Sequence, residues 1–103
     1  MKNLVNFAHP LSAEVLAEIE TKVGDSVKEI YRPAQFDLFK SLDHQVDDLV
    51  AGIIEDADLV IPPSLSAAAT LLSDHFLSDR RPFIVWLRRT ESFPPKFELG
   101  GIE

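Results

Sequence analysis

Asp58-Leu-Val-Ile-Pro-Pro-Ser-Leu-Ser-Ala-Ala-Ala-Thr70 holds a strand, a turn and the start of a helix. Leu59, Val60 and Ile61 are bulky and carry no polar alternation, the pattern of a strand covered on both faces. Pro62 and Pro63 lack the N–H that a ladder needs, so the strand stops there. Ser64 or Ser66 can then accept a hydrogen bond from an amide in the first turn of an alanine-rich helix. Strand end, tight turn and helix N-terminus together leave N–H groups and a positive dipole end pointing one way, which suits a phosphate. Turns of this kind occur throughout α/β proteins, most without a ligand, so the rest of the chain must decide.

Upstream, residues 2–8 read as a first strand with Leu4, Val5 and Phe7 apolar, ended by His9-Pro10. Ser12 is a helix N-cap, and Leu11 and Leu16 are spaced for a hydrophobic staple across it. Val15, Leu16, Ile19 and Val23 form one apolar stripe, and Gly24 stops the helix. Residues 26–31 read as a short edge strand, and 32–39 show no period and read as loop. A helix starts at Asp43, with Val46, Leu49, Val50, Ile53 and Ile54 at helical spacing. Downstream, the alanine-rich helix runs to about Phe76, with Leu65, Ala68, Ala69, Leu72 and Phe76 sharing one face. Residues 78–82 form a polar turn, and Phe83-Ile-Val-Trp-Leu87 is a buried strand. Residues 88–95 read as a connection and 96–102 as a last strand.

The order β-α-β-α-β-α-β-β predicts one α/β domain over residues 1–103. It is a small Rossmann-like or flavodoxin-like layer, a mostly parallel sheet of about five strands flanked by three helices. Ligands of such sheets bind beyond the C-terminal strand ends, where the strand order reverses. The loops collected there are residues 8–12, 32–36, 62–66 and 88–92. Arg88 and Arg89 belong to that pole; Gly24, Asp25, Asp56, Arg80 and Arg81 belong to the opposite one.

Composition narrows the function classes. The chain has 103 residues, 46% hydrophobic and 26% charged, the balance of a globular domain. Its net charge is −7, from 17 acidic against 10 basic residues. A body of that charge repels duplex nucleic acid, whose affinity comes largely from phosphate neutralisation, but a locally positive pocket can still take a small anion. No apolar run approaches the roughly 20 residues that span a bilayer. The opening Met-Lys-Asn-Leu-Val-Asn-Phe lacks a signal peptide's apolar stretch and cleavage site, which makes cytoplasmic the natural location. The absence of cysteine removes disulfides, thiolate metal sites and cysteine nucleophiles.

Few residues carry chemistry. His9 ends the first strand, and the expected topology gathers Ser64, Ser66 and Arg88 near it, a set able to contact phosphates or ribose hydroxyls. His44 and His75 fall on helices, where a solvent-facing or helix-end histidine is the plain reading. No His-x-x-x-His or His-Glu pairing marks a metal site, and no cofactor is implied. The four glycines, Gly24, Gly52, Gly100 and Gly101, match neither the P-loop nor the dinucleotide fingerprint. Trp86 and Tyr31 read as packing residues. The residues alone stop at a small α/β domain with an anion pocket.

A resemblance goes further. Asn6-Phe7-Ala8-His9-Pro10-Leu11, followed by a Glu-rich helix, resembles the opening of the small CRISPR-associated Csx family numbered fifteen. The likeness continues through Gln35-Phe36-Asp37, through Pro62-Pro63-Ser64-Leu65-Ser66-Ala67-Ala68, and through Arg81-Pro82-Phe83-Ile84-Val85-Trp86-Leu87-Arg88. It closes on Pro94-Pro95-Lys96-Phe97-Glu98-Leu99 and so spans nearly the whole chain. It departs at Pro62-Pro63, where the family's usual loop is Asn-Leu-Pro, and around residues 37–45, where this chain is shorter.

The resemblance implies an accessory protein of type III CRISPR defence that binds and sequesters cyclic tetra-adenylate, damping the signal without an effector domain. A homodimer or higher homo-oligomer would enclose the ring across a two-fold axis. The implied ligand-binding residues are Phe7, His9, Pro10, Pro63, Ser64, Leu65, Ser66, Arg88 and Arg89. Phosphates would meet the amides of residues 64–67 and Arg88, and adenines His9 and the proline turn. Two other classes stay open. One is a metal-independent ring nuclease with His9 as base and Arg88 stabilising charge, although no second strong acid–base candidate supports it. The other is a protein-interaction subunit using the apolar residues 36–39 or 93–95.

Overall fold

The computed structural model describes residues 1–51, 57–79, 82–91 and 96–103. The sequence-based readings of Gly52, Ile53, Ile54, Asp56, Arg80, Arg81 and residues 92–95 fall outside them. The elements are β1 (Lys2–Asn6), α1 (Ala13–Val23), β2 (Val27–Tyr31), α2 (Leu42–Ala51), β3 (Leu59–Ile61), α3 (Ser66–Asp79), β4 (Phe83–Arg89) and β5 (Phe97–Ile102). They form one five-stranded sheet in the order β2-β1-β3-β4-β5. The first four strands are mutually parallel, and β5 returns antiparallel along β4. This is the small α/β, Rossmann-like or flavodoxin-like sheet that the element order predicts, with β2 at an edge.

Burial on both faces explains why the strands lack polar alternation. Val5, Val60 and Ile84 pack with Val46, Val50, Ala68 and Leu72 on the α2–α3 side. Leu4, Leu59, Ile61 and Val85 face the other way, onto Val15 and Ile19 of α1. Each such aliphatic side chain contributes about 1.5–3 kcal/mol by leaving water. Ala68 in that layer leaves room for α3 to lie close to the sheet.

Local chemistry sets the ends of α1. Ser12 is its N-cap, with Oγ accepting the Val15 N–H at 3.2 Å. Gly24 closes it in the left-handed region at φ 73°, donating its N–H to the Glu20 carbonyl at 2.9 Å. Any other residue there meets a Cβ penalty, so glycine is required by conformation and not by packing.

Three boundaries differ from the sequence reading by two residues or more. β1 ends at Asn6, two residues early: the Phe7 N–H still reaches the Ile61 carbonyl at 3.1 Å, but the Ala8 N–H is taken by Asn6 Oδ1. α3 reaches Asp79, three residues beyond Phe76. β4 continues through Arg88 and Arg89, which are strand residues and not part of a connection. The cause of the last change is β5, whose Glu98 and Phe97 pair with Arg88 and Arg89 and extend the ladder. The register slips between Trp86 and Leu87, where Gly100 fits close to the Trp86 carbonyl: an added Cβ would lie 3.1 Å from that oxygen.

Candidate functional site

Asn6 organises the C-terminal end of the sheet. It is wholly buried, the one buried polar residue among those described, and all its polar groups are used. Nδ2 donates to the His9 carbonyl at 2.6 Å and to Glu29 Oε2 at 2.8 Å, while Oδ1 accepts the Ala8 N–H at 2.9 Å. Glu29 Oε2 also accepts the Leu11 N–H at 3.1 Å. The turn from Ala8 to Leu11 is thereby held from inside by an amide and a carboxylate on adjacent strands. The Asn6 carbonyl accepts the Arg32 N–H at 2.8 Å, which ties the loop after β2 to the same point. Buried polar groups satisfied in this way rigidify what they hold.

His9 sits on that fixed turn, exposed, and stacks on Phe97 at the start of β5 with centroids 5.6 Å apart and an interplanar angle of 27°. Across from the pair lies the end of β3, where Pro62 and Pro63 are buried and Ser64 is exposed. A cleft of about 520 Å³ is lined by His9, Phe97 and Trp86 together with Pro62, Pro63 and Ser64. Ala69 and Thr70 of α3, Leu87 and Arg89 complete its lining. It lies beside the point between β1 and β3 where the strand order reverses.

The arginine pair divides. Arg89 lines the cleft and is its one cationic side chain among the described residues. Arg88, on the opposite face of the same strand, donates from Nε to Glu98 Oε1 at 2.6 Å and lies outside the cleft lining. Strand alternation sends neighbouring side chains to opposite faces, so one of the two reaches the cleft.

Of the residues expected to bind a ligand, His9, Pro63, Ser64 and Arg89 line this cleft together. Phe7 is 3% exposed and packs in the α2–α3 core. Pro10 is exposed on the turn beyond His9. Leu65 precedes α3, and its carbonyl accepts the first helical bond, from the Ala69 N–H at 2.9 Å; this puts Leu65 at the cap position. Ser66 is the first residue of α3. Sequence reasoning missed Asn6 and Glu29, and it treated Trp86 as packing alone. Trp86 does both, packing partly against the core while its exposed part walls the cleft. The signal for Asn6 was a polar residue closing an apolar strand just before a His-Pro turn; Glu29 gave none.

The lining combines three aromatic rings, His9, Phe97 and Trp86, with the guanidinium of Arg89, the chemistry that suits a flat ring and an anion. No three His, Asp or Glu residues among those described are grouped to hold a metal ion. No described helix is long and apolar enough to cross a membrane.

No protein-family profile matches the chain, and no curated protein or solved structure matches it either.

Proposed function

We propose that this protein binds and sequesters cyclic tetra-adenylate, as a member of the small type III CRISPR-associated Csx family that its sequence resembles. The observation that carries the reading is the cleft at the strand-order reversal. Its lining brings the rings of His9, Phe97 and Trp86 together with the Pro62–Pro63 turn and Arg89. Adenine needs a flat apolar slot, and a phosphodiester needs a fixed cation and backbone amides. In this proposal the slot takes an adenine, and Arg89 with the first turn of α3 takes the adjoining phosphate. Arg88 is engaged by Glu98 and plays the lesser part.

A cleft of about 520 Å³ accepts a drug-sized portion of a ligand. A ring of four nucleotides exceeds it, so two clefts facing each other across a two-fold axis would share one ring. The proposed setting is the cytoplasm, where capture lowers the free messenger and damps signalling. Binding is favoured over cleavage because His9 is the one acid–base group lining the cleft among the described residues.

The test mixes excess purified protein with radiolabelled cyclic tetra-adenylate, run natively for binding and after denaturation for cleavage. A shifted, intact ring is the expected result. A linear product growing with time would replace sequestration by ring cleavage. Neither shift nor product would remove the nucleotide reading and leave a protein-interaction role.

A further inference from the structure

The two hollows of the sheet differ in charge. The larger, a groove of about 750 Å³ between α1 and β5 at the N-terminal strand ends, is lined by Lys2 and Lys22 and also by Glu18, Asp58 and Glu103. The cleft at the C-terminal end is lined by Arg89 and, among the described residues, by no carboxylate. One is nevertheless bonded to the turn that carries His9. Glu29 of the edge strand β2 is half-buried, and its Oε2 accepts both Asn6 Nδ2 at 2.8 Å and the Leu11 N–H at 3.1 Å. A negative charge close to a site for an anion weakens that site by Coulomb repulsion, so its presence there calls for another reason.

That reason is geometric. A carboxylate only accepts hydrogen bonds, so Glu29 requires the Asn6 amide to turn its NH2 group towards β2. In the same orientation Nδ2 reaches the His9 carbonyl at 2.6 Å and Oδ1 receives the Ala8 N–H at 2.9 Å. His9 is thus pinned on both sides, by Asn6 at Ala8 and at its own carbonyl, and by Glu29 at Leu11. Its exposed ring stacks on Phe97, with centroids 5.6 Å apart at 27°, from a backbone held in this way. A ring fixed in advance adds to affinity, because binding does not have to order it.

We infer that Glu29 is a positioning residue for the cleft, acting through Asn6 and the Leu11 N–H to hold the His9 ring on Phe97. It lies outside the lining, and its contribution is the place of one oxygen and not its charge. Both bonds land on Oε2, so a glutamine keeps them with its carbonyl oxygen. An aspartate keeps the charge and is one methylene too short to reach both donors. The two conservative replacements therefore separate geometry from electrostatics. A purely electrostatic role predicts that Glu29→Asp behaves as the wild type and that Glu29→Gln binds an anion more tightly.

The test has two readouts on the full chain. The first needs no ligand: proton NMR of the His9 ring, assigned by its loss in His9→Gln. In the wild type the ring protons are expected upfield, under the ring current of Phe97, with a nuclear Overhauser contact to that ring. Glu29→Gln should keep both signatures; Glu29→Asp and Glu29→Ala should lose them. Urea unfolding identifies which variants fold, and Glu29→Asp decides the matter should the alanine variant not. The second readout rests on the proposed function: affinity for cyclic tetra-adenylate should fall about tenfold in Glu29→Asp and Glu29→Ala and stay within about threefold in Glu29→Gln. A wild-type chain that does not bind the ring removes the proposed function, and the His9 signals still decide the role of Glu29. Wild-type His9 signals in folded Glu29→Asp or Glu29→Ala overturn the inference. So does tighter binding by Glu29→Gln and Glu29→Ala alike, the mark of charge alone.

Discussion

The two ends of the sheet differ in a way that volume alone does not reveal. The N-terminal groove is the larger, at about 750 Å³, against about 520 Å³ for the cleft at the C-terminal end. Yet the smaller one has the features of a small-molecule site. Its walls stand on a turn clamped by Asn6 and Glu29, and its polar groups converge on one opening. At the other end, Asp58 and Asn3 bond each other's backbones to hold strand ends together, with Asp58 Oδ2 accepting the Asn3 N–H at 2.9 Å. Asp58 lines the groove, but its Oδ2 and its N–H are both taken up by Asn3 in closing the sheet. Preorganised polar groups, and not empty space, separate a binding cleft from a gap between elements.

The comparison breaks most readily at Asn6. Asn6→Ala strands the Glu29 carboxylate, the His9 carbonyl and the Ala8 N–H together, which should cost about 3 kcal/mol of stability. Urea unfolding measures this, and Asp58→Ala at the other end should cost only about 1 kcal/mol. Equal losses would mean that the clamp is no more than ordinary strand-end bonding. Next comes Arg89→Ala, expected to weaken cyclic tetra-adenylate binding by about 2 kcal/mol while leaving unfolding within about 0.5 kcal/mol of the wild type. Titration calorimetry on Arg89→Ala beside Arg88→Ala separates the two arginines.

Arg88→Ala removes an exposed ion pair, with side chains 69% and 43% accessible for Arg88 and Glu98. Solvent screening keeps its effect on stability to about 0.5 kcal/mol or less. The smallest expected effect lies at the N-terminal end. The Ser26 N–H at 2.7 Å, and then the chain's own N-terminal ammonium at 3.4 Å, hold the Asp25 carboxyl below its ordinary range. A lowered folded value means that its contribution is present above the ordinary carboxylate range and is lost as pH falls through the folded value. Acid unfolding of Asp25→Asn should be slightly less steep in that window; an identical acid limb would show that the contacts contribute nothing.

The cleft was only half legible in the sequence. The Pro62-Pro63-Ser64 turn and His9 announce themselves, because prolines and a histidine at strand ends act through local backbone rules. The Asn6–Glu29 bond joins residues 23 apart, and it exists because parallel pairing sets Asn6 against Tyr31 and Leu4 against Glu29. No local pattern encodes that register. The helix caps are legible for the opposite reason: Ser12 and Gly24 each act on groups within four residues.

By itself the sequence determined the element order, the mostly parallel sheet and the two-sided core. Those follow from periodicity and turn chemistry within short windows, and the alternation of Leu4 with Val5 and of Ile84 with Val85 onto opposite faces completes them. Only the tertiary structure decided which arginine faces the cleft and which aromatic ring His9 meets. Both depend on β5 folding back along β4, which extends that strand through Arg89, turns Arg88 towards Glu98 and brings Phe97 beneath His9. Side-chain direction alternates with every residue of a strand, so a function that needs one face is fixed only when the partner strand fixes where the ladder ends.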